Sequence, residues 1–95
     1  MKNLVLACLL LVVAACAGAP VQEMSDARQA IRAAQAAGAV ERAPDHLGRA
    51  QSLIDEAQRH LQRHEYREAQ RNALEAREEA VKALQISREA VPAQG

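Results

Sequence analysis

The chain has 95 residues, with 12 basic and 12 acidic side chains, enough for one small domain with an evenly mixed surface. That balance argues against nucleic acid, which wants a basic face, and against a polybasic grip on a membrane. Tyr66 is the sole aromatic residue, so the core must be built from aliphatic side chains and alanine, which contributes little area per residue.

Met1, Lys2 and Asn3 open the chain with positive charge, and ten apolar residues follow from Leu4 to Val13. The small residues Ala14 and Ala15 come next. This is the three-part layout of a cleavable secretory signal, expected at 1–15. A membrane-spanning helix needs roughly 20 apolar residues; this run is too short, and Gly18 and Pro20 follow it closely.

Val13-Ala14-Ala15-Cys16 resembles the bacterial lipobox: an aliphatic residue, two small ones, then cysteine. The resemblance implies a thioether-linked diacylglyceryl group on Cys16, cleavage before it, and fatty acylation of the new amino terminus. Lipidation at Cys16 is the one site expected here. Two or more acyl chains hold a protein stably to a bilayer, whereas one holds it marginally. Cys8 lies within the signal, so removal of 1–15 leaves Cys16 as the one cysteine, with no intramolecular disulfide partner. Lipoproteins retained in the inner membrane commonly carry aspartate after the cysteine. Ala17 stands there, which by resemblance implies the periplasmic face of the outer membrane.

Residues 16–23 read as a lipidated linker, because Gly18 and Pro20 discourage helix. Fully extended, these residues reach under about 30 Å, which keeps the helical domain of 24–91 close to the bilayer. A first helix is expected at 24–37 from the three-four spacing of Ala27, Ala30, Ala34 and Ala37, flanked by Met24 and Ile31. Ser25 is a candidate N-cap, and Gly38 stands where a helix stops. Residues 39–43 form a connector. A second helix is expected at 44–63, opened by Pro44 with Asp45 in its first turn. Leu47, Ala50, Ile54, Ala57 and Leu61 mark its apolar stripe, widened by Leu53.

The longest helix is expected at 66–91, with a tail at 92–95 after it. Tyr66, Ala69, Ala73, Ala76, Ala80, Ala83, Ser87 and Ala90 make one seam, with Leu74, Val81, Leu84 and Val91 beside it. Glu68, Arg71, Glu75, Glu78, Lys82 and Glu89 lie opposite, and Arg71/Glu75 and Glu78/Lys82 have ion-pair spacing. No strand pattern competes. The expected fold is all-α: a small alanine-rich three-helix antiparallel bundle, made of a helical hairpin plus a shorter first helix. Ala27, Ile31, Ala34 and Gln35 also echo Ala50, Ile54, Ala57 and Gln58, which chance in an alanine-rich chain explains as well as duplication.

No catalytic residue, cofactor or metal ligand is expected. His60 and His64 are four apart, with Glu56 four before His60, a spacing that can place two imidazoles on one metal. The segment lacks the glutamate of the zinc-protease motif, so solvent-facing histidines are the favoured reading. Glu75, Glu78 and Glu79 form an acidic group that the helical positions place largely on the wet face, without the desolvation that acid–base chemistry requires. Tyr66 is expected to pack across the hairpin. Ser25, Ser52 and Ser87 have no histidine and acid placed to activate them. The alanine seam reads first as intramolecular core and second as a surface for another helix.

Ala43-Pro44, Leu47, the Ala50/Ala57 spacing, His64-Glu65-Tyr66-Arg67-Glu68-Ala69 and the Ala73/Ala76/Ala80 run together resemble the short bacterial envelope lipoproteins grouped as domain of unknown function 4398, over about 20–90. The hairpin turn is also similar to half of a tetratricopeptide unit, but one hairpin builds no superhelical groove. Some members of the family carry a peptidoglycan-binding domain like that of outer-membrane protein A. The sequence given ends at Ala93-Gln94-Gly95 with neither that domain nor the terminal lysine that joins the major murein lipoprotein to the wall, so direct wall attachment is not expected. The resemblance implies no activity. The resulting expectation is a non-enzymatic lipoprotein, held to the membrane through Cys16, with a structural or adaptor role toward other envelope proteins or a second copy. The alternatives are a small periplasmic metal or ligand binder using His60, His64 and Glu56, and a self-assembling coiled coil.

Overall fold

The computed structural model describes residues 18–90. Four helices follow in order: α1 Val21–Ala36, α2 Ala39–Arg42, α3 Pro44–Gln62 and α4 Tyr66–Ala90. The described residues contain no strand, and the all-α class stands. The count of three does not, because the expected connector holds α2, a single turn of four residues. Gly38 creates that turn. Its φ of 89° lies in the left-handed region that L-residues avoid, and there it ends α1 by donating its N–H to the Gln35 carbonyl at 3.0 Å. Its own carbonyl accepts the N–H groups of Glu41 and Arg42 at 3.2 and 3.1 Å. Buried Ala39 pins the turn against the body.

The first helix starts earlier than its spacing predicts, at Val21 rather than residue 24. Pro20 supplies the start: its fixed φ, here −79°, suits a helix entry, and its carbonyl accepts the Met24 N–H at 3.0 Å. Ser25 is therefore inside α1 and is not its N-cap. The linker shortens accordingly, since Gln22 and Glu23 are helical. At α3, Pro44 occupies the first turn and Asp45 adds the negative charge that the positive end of the helix dipole favours. The stop expected at Pro92, Val91 and the tail at 92–95 lie outside the described residues.

The helix α4 is the hub. It packs along both α1 and α3, which touch each other less. Its buried stripe is Ala69, Ala73, Ala76, Ala80, Ala83 and Ser87, all with no exposed surface. The buried bulky side chains come from the partners, Met24 and Ile31 from α1 and Leu47 and Ile54 from α3, with Leu53, Leu61 and, from α4 itself, Leu84 half-buried against them. Small side chains on α4 let the neighbouring axes approach toward the short end of the usual 8–10 Å, and the partners' long side chains fill the angles between helices. The Ser87 hydroxyl avoids an unpaired burial by donating to the Ala83 carbonyl at 2.8 Å. The seam closes at half-buried Tyr66 and at exposed Ala90, and Leu74, at the stripe's outer edge, is 46 % exposed.

The direction of each helix follows from cross-links at the two ends. Gln70, near the start of α4, donates to Glu23 near the start of α1 at 3.2 Å. At the other end Arg42 donates to the Ser87 carbonyl at 3.2 Å. So α1 and α4 run parallel and α3 runs against both. The chain enters the bundle at the same end as the α3–α4 turn.

Candidate functional site

Cys16, the expected lipidation site, and the segment 1–15 expected to be a signal lie outside the described residues. Covalent connectivity still fixes one relation. Only residues 17–20 separate Cys16 from the first residue of α1.

The residues of the expected metal alternative are each engaged elsewhere. His60 Nδ1 lies 3.0 Å from Glu65 Oε1, His64 Nδ1 lies 2.9 Å from the Tyr66 hydroxyl, and Glu56 accepts from Asn72 at 3.4 Å. Among the described residues no three of His, Cys, Asp and Glu converge as metal ligands do. Tyr66 is half-buried as the first residue of α4, and its ring meets the His64 ring edge-on, centroids 5.8 Å apart. It packs within the turn rather than along the hairpin.

Glu75 and Glu78 are exposed as expected, whereas Glu79 is not: it is 9 % exposed. Its place explains the difference. Residue 79 is three after Ala76 and four before Ala83, so it falls on the edge of the seam, under the first turn of α3. There His46 Nδ1 is 2.6 Å from Oε2, which makes the ring N–H the donor to a carboxylate. Arg49 and Lys82 lie 3.5 and 3.6 Å from Oε1. The His46 hydrogen bond is the main force holding the Glu79 carboxyl below the usual glutamate range; Lys82, Arg49 and the charge of His46 act the same way, and partial burial opposes them. Lys82 thus reaches Glu79 rather than the expected Glu78. An ionised carboxylate clamped by donors from two helices is a staple between α3 and α4. Sequence spacing places Glu79 on one helix and His46 on another, but not opposite each other.

The α3–α4 turn is the other organised polar region. The His64 N–H donates to the Leu61 carbonyl at 3.0 Å and the Glu65 N–H to the His60 carbonyl at 2.9 Å, the paired bonds of a Schellman motif. Its left-handed position, usually glycine, holds His64 with φ of 62°. Arg59, Arg63 and Arg67 surround this turn, all exposed.

The model of the family described as Domain of unknown function (DUF4398) matches residues 22–93. The chain belongs to that family. The match takes in α2, α3, α4 and nearly all of α1, so the DUF4398 region coincides with the helical body, including Glu79, its partners and the turn. The family's description carries no activity, substrate or partner. No curated protein and no solved structure matches the chain. Among the described residues, no helix of this DUF4398 protein is long and apolar enough to cross a membrane.

Proposed function

We propose that this DUF4398 protein is an envelope lipoprotein, held by acyl chains on Cys16 to the periplasmic face of the outer membrane, whose helical body acts as a structural or adaptor surface. The observation that carries the reading is the sequence Val13-Ala14-Ala15-Cys16 at the end of a ten-residue apolar run. Such a run is long enough for a signal and too short to span a bilayer. Two further features support it. Removal of the signal leaves one thiol, whose acylation relieves an oxidising compartment of a reactive group. The helical body also begins so soon after Cys16 that it stays at the membrane surface.

Mass spectrometry of the mature protein from membranes tests the reading. The expected product starts at Cys16 and carries a diacylglyceryl group and an amide-linked acyl chain. Cys16→Ser is expected to retain the signal sequence or appear unacylated, and to leave the outer-membrane fraction. A wild-type protein with a bare Cys16 overturns the proposal.

A further inference from the structure

We infer that α1 is a detachable arm, hinged at Gly38, that leaves the α3–α4 hairpin as one unit while α2 stays docked. The detachment stands on the packing alone. Its consequence for reach rests on the lipid-anchor reading above.

The hold on α1 is weaker than the hold between α3 and α4. Its buried face has two bulky side chains, Met24 and Ile31, and two alanines, Ala27 and Ala34, and alanine brings little apolar area. Its hydrogen bonds to the other long helices run from Gln70 to Glu23 at 3.2 Å and from Arg28 to Gln58 at 2.9 Å, both exposed. Water replaces such bonds at little cost. Among the described residues no ion pair joins α1 to another element. The hairpin has more to hold it. Leu47 and Ile54 of α3 are buried, and Leu53 and Leu61 pack half-buried against the core. His46 and Arg49 grip Glu79 across the pair, and the Schellman turn closes α3 directly onto α4.

The boundary of the moving part falls at Gly38. Glycine passes from its φ of 89° to other backbone regions without steric cost. The space around it is open, since a Cβ built there would come no nearer than 3.8 Å to the Arg42 side chain. Beyond it the chain is fixed again: Ala39 has no exposed surface, Ala43 is 5 % exposed, and Arg42 donates to the Ser87 carbonyl at 3.2 Å. Rotation at this one residue therefore separates α1 from everything after it. Such contiguous, weakly held units open without global unfolding.

With Cys16 in a bilayer, residues 17–20 extend at most about 14 Å, and the hairpin, lying alongside α1, stays near the headgroups. Swung out about Gly38, the hairpin lies beyond α1, whose 16 residues run for about 24 Å as helix. Release thus lengthens the reach of the body while the tether stays in place.

Hydrogen exchange of the full mature protein in detergent micelles, followed amide by amide, tests the inference. Amides of α1 from Ala27 to Ala36 are expected to share one rate, about tenfold or more above the central amides of α3 and α4. The Ala43 amide, bonded to the Ala39 carbonyl at 2.9 Å, is expected to exchange with the hairpin. Glu79→Gln loosens the hairpin alone, so it is expected to speed α3 and α4 about fivefold and to leave α1 unchanged. One rate for all three long helices overturns the inference, as does an α1 that accelerates with the hairpin in Glu79→Gln. A gradient along α1, fast in its first turn and as slow as the hairpin at Ala34, means fraying rather than detachment and also overturns it. Exchange of Ala43 with α1 overturns the hinge at Gly38. A bare Cys16 removes the change of reach and leaves the detachment standing; a single cooperative unit removes the detachment and leaves the anchor untouched.

Discussion

Glu79 illustrates how one residue departs from its pattern. In α4 it belongs to a run of charged side chains, Arg77, Glu78, Glu79 and Lys82, yet it is the member that faces α3. With its pKa lowered on folding, it contributes stability above the unfolded-chain glutamate value and loses that contribution as pH falls through the lower folded value. Glu79→Gln is expected to cost about 1 kcal/mol near neutral pH. The gap between variant and wild type is expected to close in acid, below the ordinary glutamate range; urea melts at several pH values read both effects. His64 is a second exception, a histidine in the left-handed position of a helix stop. His64→Gly is expected to raise stability by up to about 1 kcal/mol, since glycine enters that region without steric cost. A thermal melt measures it, and a destabilised variant means that the Tyr66 contact outweighs the backbone strain.

The helices differ in what they bring to the core. The α4 stripe is alanine except for Ser87, and its lack of bulk allows α1 and α3 to sit close on either side. A longer side chain there has no vacant space to enter. Ala76→Leu, at a position with no exposed surface, is expected to cost about 1–3 kcal/mol through overpacking, read from the midpoint of chemical unfolding. An unchanged midpoint means that the helices separate freely and that the seam is loosely held. The seam was legible in the sequence because a three-four repeat on a 3.6-residue helix leaves little choice of face. The start of α1 was not: Ser25 had the chemistry of a cap, but Pro20 had already supplied a helix entry, and a serine inside a continuing helix has no free N–H group to receive. Nor was α2 legible, because a single turn owes its existence to the buried Ala39 and to the left-handed Gly38 before it rather than to propensity.

At the scale of the molecule, the parallel run of α1 and α4 brings the chain's entry point beside the α3–α4 turn. That juxtaposition belongs to the packing of α1 against the other two long helices, shown by the Glu23–Gln70 and Arg28–Gln58 hydrogen bonds, and to no single helix. Periodicity and punctuation in the sequence by themselves determined the all-α class, the extent of α3, the start of α4 and the alanine stripe, because each is local: a helical face, a proline or a glycine acts over a few positions. Tertiary structure alone decided that Glu79 meets His46, 33 positions away, that His60, His64 and Glu56 take separate partners, and which tip lies beside Val21. Those outcomes depend on how helices rotate and pair around α4, and a repeat along one helix carries no information about the residue that packing brings to face it.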